Sequence, residues 1–246
     1  LGLIPIVGGE TRWVNWDRDR YPYLATVRWP ISPNALERWG DESVRTAAPL
    51  TILVQNRRQT EEALLRVDVE TGSTSLLLVE KDEAWINLDQ SKPKWFPDAS
   101  AFLWTTERNG SWQLELRSAN GQLLRPLTGV DFRYTGLVAL DPEGQVVYVS
   151  GGDDPTQTHL FRLSTEVAAA PVQLTTEPGI HSATFSENHR VYVHTASTMD
   201  GRRSQIVRST DGRELGRLQS VAEKPPFVPN IELTTVGADP LFHAVL

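Results

Sequence analysis

The sequence predicts an all-β fold, a partial β-propeller of about four four-stranded antiparallel blades. A cycle of β-rich runs separated by tight-turn segments recurs about every 45–50 residues, which is the period of propeller blades. The central runs of each cycle are short, apolar and rich in β-branched and aromatic residues. This pattern is typical of buried strands, and the runs are too short for an amphipathic helix.

The turn between the first and second strands of a cycle carries Pro, Asp, Asn or Gly, which favour tight turns. These turns lie at residues 96–100, 141–145 and 186–190. The second strands are expected next to them, at residues 50–54, 101–105, 146–150 and 190–194. Their nearly continuous apolar character predicts packing on both faces, as neighbouring blades of a propeller provide.

Third and fourth strands complete each cycle and are joined by polar, mostly Gly-containing hairpins. Third strands are expected at residues 63–68, 112–117, 158–163 and 204–208. Fourth strands are expected at residues 75–78, 125–128, 172–175 and 216–219. The four blades therefore extend over residues 21–80, 91–128, 134–175 and 180–220.

The segments around the blades differ from the repeat. Residues 1–20, with Trp13 and Trp16, are interpreted as the tail of a preceding blade, and residues 21–222 as the four blades. Residues 31–49 interrupt the first blade as an insertion in which Leu36 to Trp39 could form a short helix. Residues 223–246 form a Pro-rich connector followed by two further strands.

Composition excludes several classes of function. The net charge is −7, and the Lys and Arg residues are scattered along the chain, which argues against a nucleic-acid partner. No apolar run approaches the roughly 18 residues of a membrane helix. The apolar residues 1–7 lack the positive flank and cleavage pattern of a signal peptide. The sequence therefore does not assign the protein to a cellular compartment. The absence of Cys excludes disulfides and thiolate catalysis.

Three tryptophans, Trp29, Trp95 and Trp104, occupy matching strand positions and are expected in the core between blades. The pair Asn109 and Gly110 favours a hairpin turn over a glycosylation site, although the triplet that it begins matches the acceptor pattern.

Metal and cofactor sites are not expected. The five histidines lack the spacing of metal ligands and are assigned structural or surface roles: His159, His181, His189, His194 and His243. Asp153 and Asp154 supply too few oxygens for calcium and are interpreted as part of a hairpin loop.

Several stretches have the order and spacing of a known family. They are residues 85–88 (Trp-Ile-Asn-Leu), 95–98 (Trp-Phe-Pro-Asp), 103–110, 127–129 and 179–186. These stretches resemble the middle blades of the dipeptidyl peptidase IV N-terminal domain. The resemblance implies an eight-bladed propeller, of which this chain is the C-terminal half, capping an α/β-hydrolase domain with a Ser, Asp and His triad. Residues 231–236 and 242–246 resemble the first strands of that hydrolase domain.

Two features of the family are missing from this sequence. It contains no G-x-S-x-G nucleophile elbow, and no motif matches the paired Glu residues that hold the substrate's amino terminus. The resemblance therefore implies a noncatalytic segment, inactive alone, that gates peptide access and packs on the hydrolase domain of a secreted or periplasmic serine peptidase. The alternative is a stand-alone propeller that serves as a protein-interaction scaffold.

Two interaction surfaces follow from this interpretation. The loop with Trp85, Asn87, Asp89 and Gln90 is expected to contact substrate or the second domain, and the alternative is a plain solvated loop. Half of a propeller also leaves two open blade faces, near Leu53 and Leu65 on the first blade and near Val193 and Val207 on the last. These faces predict a homodimer.

Overall fold

The computed structural model describes residues 1–29, 48–223, 226–227, 230–239 and 241–245. The predicted short helix at Leu36 to Trp39 lies outside the described residues. The chain divides into two compact units, Leu1–Pro126 and Leu127–Leu246. No helix of the described part is long and apolar enough to span a membrane.

The first unit contains a short strand pair and two four-stranded antiparallel sheets. The pair is β1 (Gly2–Leu3) with β2 (Arg12–Trp13). The first sheet is built from β3 (Tyr23–Arg28), β4 (Thr51–Gln55), β5 (Glu61–Val67) and β6 (Thr74–Lys81). The second sheet is built from β7 (Lys94–Trp95), β8 (Ala101–Thr106), β9 (Gln113–Ser118) and β10 (Leu123–Pro126).

The second unit begins with a 3-10 turn at Val130–Phe132 and contains two further four-stranded sheets. The third sheet is built from β11 (Gly136–Leu140), β12 (Val146–Gly151), β13 (His159–Ser164) and β14 (Val172–Gln173). The fourth is built from β15 (Ile180–Phe185), β16 (Val191–Ser197), β17 (Arg203–Ser209) and β18 (Glu214–Leu218). A hairpin of β19 (Leu233–Val236) and β20 (Phe242–Val245) follows.

These sheets confirm the predicted fold class. Each is antiparallel and joins four consecutive strands in chain order, which is the arrangement of a propeller blade. Each corresponds to one of the four predicted repeats, and β6 ends at Lys81, one residue beyond the first predicted blade.

Side-chain oxygens stabilise the turns that the sequence predicts. Asp68 accepts hydrogen bonds from the N–H groups of Glu70 at 2.8 Å and Thr71 at 3.1 Å, and these bonds lower the pKa of its carboxyl. In the second sheet, the N–H of Ser100 and then its hydroxyl lower the pKa of Asp98 in the same way. Such bonds replace the backbone pairing that the chain loses where it reverses.

The core of the first unit lies between its two sheets. Trp104 and Phe102 of β8 are fully buried, and their rings meet edge to face with centroids 6.5 Å apart. Trp95 is also buried, so the predicted core positions of Trp95 and Trp104 are confirmed. The prediction for Trp29 is wrong, because Trp29 follows the last paired residue of β3 and is 53 % exposed.

The outer face of the first sheet is covered by the N-terminal segment. Val14 and Tyr21 pack with Leu65 of β5, and Leu1, Leu3 and Trp16 lie against the same cluster. Leu53 and Leu65 are both buried, so the expectation that they form an open face is wrong. The homodimer stays a prediction. It now rests on one open blade face, that of the fourth sheet, where Val193 and Val207 are half-buried.

Gly121 lies so close to the first sheet that a side chain there is expected to destabilise the first unit. Gly121 has φ of +88°, and a Cβ built there would lie 1.9 Å from the carbonyl oxygen of Leu77 in β6. Gly110 has φ of +83° with nothing within 4 Å of such a Cβ. Gly121→Ala is therefore expected to destabilise the first unit by about 1–3 kcal/mol more than Gly110→Ala. Urea unfolding of both variants measures the difference, and equal losses would contradict it.

In the second unit the core lies between the third and fourth sheets. The rings of Tyr148 in β12 and Phe185 in β15 have centroids 4.3 Å apart. Asp154, in the loop before β13, accepts a hydrogen bond from the N–H of Thr156 at 2.8 Å, as a structural loop residue does. In the described part of the chain, no group of three or more His, Asp or Glu side chains is placed to hold a metal ion.

Candidate functional site

Three loops of the first unit meet at one end of its two sheets. Connections in an antiparallel sheet alternate between its ends, so the β4–β5 loop, the β8–β9 loop and the β6–β7 connection at residues 82–93 share an end. A backbone hydrogen bond joins the β4–β5 loop to the β6–β7 connection, since the N–H of Ile86 donates to the carbonyl of Gln59 at 2.9 Å. The Asn87 amide donates to Glu107 Oε2 at 2.7 Å, which joins the β6–β7 connection to the β8–β9 loop.

The end of β6, the β6–β7 connection and the β8–β9 loop line an open, shallow pocket. Its lining combines aromatic side chains with charged and amide groups: Glu80, Lys81, Asp82, Trp85, Ile86, Asn87, Lys92, Thr105, Thr106, Glu107, Arg108 and Trp112. A concave surface with aromatic walls and a few fixed polar groups is the usual form of a binding site.

Two of the four predicted site residues line this pocket. Trp85 is 53 % exposed. Its backbone N–H donates to Asp82 Oδ1 at 2.9 Å, and this hydrogen bond fixes the start of the β6–β7 connection. Asn87 is exposed and is oriented by Glu107. The structure thus brings Trp85 and Asn87 together beside Trp112.

The other two predicted residues lie outside the lining. Asp89 accepts hydrogen bonds from the N–H of Ser91 at 2.8 Å and from its hydroxyl at 2.6 Å, so its carboxylate shapes the turn that follows. The backbone carbonyl of Gln90 accepts a hydrogen bond from the Arg28 guanidinium of β3. Both residues support the connection locally.

A buried ion pair that the sequence did not reveal lies at the wall of the pocket, to which Lys92 contributes. Lys92 Nζ is 2.6 Å from Glu62 Oε1, and the two side chains are 5 % and 0 % exposed. The ammonium also donates to the Thr105 carbonyl at 3.3 Å and lies 4.2 Å from the centre of the Trp104 ring. Burial raises the pKa of Glu62, and the positive charge of Lys92 opposes this effect.

Glu80 forms a second buried anchor at the end of β6. Its Oε2 accepts from Trp104 Nε1 at 3.0 Å and from Arg108 Nη2 at 2.8 Å, and its other oxygen accepts from the Thr106 hydroxyl. Burial would raise the pKa of Glu80, but the hydrogen bonds from Arg108, Thr106 and Trp104 outweigh burial and lower it. Glu80 therefore stays ionised and holds Arg108 at the pocket.

The arrangement suits binding better than chemistry. The buried charges are paired with one another, and the described lining residues include no Ser, Cys or His that would serve as nucleophile or base. A partner could contact the exposed ring of Trp85, the partly buried ring of Trp112 and the polar groups of Asn87 and Arg108.

Comparison with protein families agrees with the fold. A family model described as the dipeptidyl peptidase IV (DPP IV) N-terminal region matches residues 1–202. The chain belongs to this family. Membership in the DPP IV N-terminal family supports a noncatalytic domain of a DPP IV-like protein.

The solved structures that share the fold include two DPP IV-type proteins. The dipeptidyl peptidase 4 of Porphyromonas gingivalis superposes with a TM-score of 0.77 at 18 % identity, over 99 % of this chain and 33 % of that protein. A Bacteroides ovatus protein assigned as a dipeptidyl aminopeptidase IV superposes with a TM-score of 0.73 at 20 % identity, over 97 % of this chain and 35 % of that protein. The chain thus spans about a third of the length of either DPP IV-type structure.

Proposed function

We propose that this chain is the propeller segment of a DPP IV-like serine exopeptidase, where it packs on the hydrolase domain and gates the access of short peptides to the active site. The observation that carries the proposal is the family match over residues 1–202. The absence of a G-x-S-x-G elbow from the chain agrees with a noncatalytic part in that enzyme.

The pocket of the first unit is the surface proposed to face the substrate or the hydrolase domain. Trp85 leaves more than half of its surface exposed beside the pocket, and large aromatic side chains on a rigid scaffold are typical of binding surfaces. Asn87 is held by Glu107 and presents a fixed amide. In this proposal Trp85 packs against an apolar group of the partner, and Asp89 and Gln90 keep the connection in shape.

The proposal is tested in the full-length parent protein with Trp85→Ala and Asn87→Ala. Each is expected to raise KM for a dipeptidyl substrate several-fold with kcat retained, because each removes a binding contact without touching the reacting atoms. Both side chains are exposed, so the melting temperature is expected to change little.

Trp13→Ala is the matched control, because Trp13 is 67 % exposed in β2 and does not line the pocket. It is expected to leave KM unchanged. Unchanged kinetics in all three variants would reject the proposed role of the pocket. A parent protein without any dipeptidyl peptidase activity would reject the proposed function itself.

A further inference from the structure

Three histidines stack between the third and fourth sheets of the second unit. His159 of β13 lies against His181 of β15 with ring centroids 5.2 Å apart, and His181 lies against His194 of β16 at 5.1 Å. The rings are nearly parallel, with interplanar angles of 22° and 25°. All three are buried, with 8 %, 3 % and 7 % of their surface exposed. A contact between two sheets is thus made by imidazole side chains, which are able to take up a proton.

The hydrogen bonds determine where the protons lie. His181 Nε2 is 2.7 Å from the backbone carbonyl of Glu177, and a carbonyl can only accept, so this nitrogen carries a proton. In the neutral ring His181 Nδ1 is then an acceptor, and it lies 2.8 Å from His194 Nε2. His194 therefore donates from Nε2, and its Nδ1 is a bare nitrogen that is buried without a hydrogen-bond partner.

An added proton has no favourable position in this chain of bonds. On His194 it would create a buried cation whose Nδ1–H has no acceptor. On His181 it would make Nδ1 a donor facing the N–H of His194, and their hydrogen bond would break. If the proton of His194 then moved from Nε2 to Nδ1, Nε2 could accept the hydrogen bond from His181. The N–H at His194 Nδ1 would then be buried without an acceptor.

The surroundings favour the neutral state. Burial lowers the pKa of His194 to about 4, and His181 and Arg208 of β17 add to the effect. Burial and His181 also lower the pKa of His159, against the opposing charge of Asp154. The remaining contacts of His159 are neutral, namely the Thr175 hydroxyl at 3.2 Å and the Gln157 amide oxygen at 3.1 Å.

A metal ion does not explain the cluster. Two imidazole nitrogens that bind one tetrahedral zinc are about 3.3 Å apart, since Zn–N bonds are about 2.0–2.1 Å long. The nitrogens of His181 and His194 are 2.8 Å apart and their rings are stacked, so their lone pairs do not converge on one ion.

We propose that the His159–His181–His194 stack is an acid-sensitive contact, which joins the third and fourth sheets while it is neutral and opens their interface when it takes up a proton. The ordinary pKa of His in an unfolded chain is about 6.5. Because the pKa of His194 is lower in the folded protein, the unfolded or opened state binds more protons. The stabilisation is complete above about pH 6.5, is lost as the pH falls to about 4, and is constant below that.

Hydrogen exchange of the 246-residue chain between pH 4.5 and 7.5 tests the proposal. All eight Trp residues lie in the first unit, so Trp fluorescence follows that unit separately. The opening constant of the β15 and β16 amides, corrected for intrinsic exchange, is expected to rise about five- to sevenfold per pH unit between pH 6.5 and 4.5, as uptake of one proton between these two pKa values requires. His194→Gln keeps an N–H for His181 Nδ1 but cannot take up a proton, so most of this dependence is expected to vanish.

His243→Gln is the control, because His243 is an exposed His of the same unit that acts on Asp154 and lies outside the stack, so most of the dependence should remain. The same pH dependence in His194→Gln as in the wild type would overturn the proposal. Nitrogen NMR of the wild-type histidines gives a second test that needs no variant. It is expected to show the Nε2–H tautomer for His181 and His194 at pH 6, and a protonated His194 at that pH would also overturn the proposal.

Discussion

Lys92→Met is expected to lower the free energy of unfolding of the first unit by about 3–5 kcal/mol, because it leaves the carboxylate of Glu62 buried without a counter-charge. Glu62 is completely buried, and burial already raises the pKa of its carboxyl. Met fills nearly the same space as Lys, so the loss reports the missing charge and not a cavity. Urea unfolding followed by Trp fluorescence at pH 7 measures it.

Lys81→Met is the matched control for the buried Lys. Lys81 Nζ is 3.8 Å from Glu61 Oε2, and the Lys81 side chain is 65 % exposed, so its replacement is expected to cost about 0–1 kcal/mol. The double variant Lys92→Met with Glu62→Leu removes both buried charges and is expected to be more stable than Lys92→Met alone. A loss of less than about 1 kcal/mol in Lys92→Met would contradict the importance of this pair.

Trp104→Ala is also expected to lower the free energy of unfolding of the first unit by about 3–5 kcal/mol. The indole is fully buried between the two sheets, packs against Phe102, and carries the Lys92 ammonium over its ring. Truncation would open a cavity and remove the N–H that donates to Glu80. Thermal unfolding by circular dichroism is the suitable measurement, since the substitution removes a fluorophore.

Trp85→Ala is the control for Trp104, because both changes remove an indole from the same unit but Trp85 is half exposed. It is expected to cost less than about 1 kcal/mol. Trp104→Phe keeps an aromatic ring and loses the N–H, so its loss of stability should fall between the other two. Equal destabilisation by Trp104→Ala and Trp85→Ala would show that the second sheet does not depend on its buried Trp.

Only part of the candidate site was accessible from the sequence. The Asn87 and Trp85 positions were predicted from the family resemblance, which implies that their loop lies at the propeller face turned toward the second domain, and from the tendency of loops on a rigid scaffold to carry binding residues. Glu62 and Glu80 stand at the ends of β-rich runs, where a carboxylate is ordinarily solvated, and no local pattern marks them as buried. Their burial and the pairing of Glu62 with Lys92 arise because the second sheet packs over the first.

Local chemistry determined the strands and turns, because apolar runs, Asn–Gly pairs and Asp side chains act on residues a few positions away. That information predicted the four antiparallel sheets and the core positions of Trp95 and Trp104. Contacts between residues distant in sequence decided the rest. Residues 1–21 cover the first sheet, Trp29 falls beyond the end of β3, and His159, His181 and His194 form a stack. These features depend on which faces meet when the sheets pack, and strand periodicity carries no information about that choice.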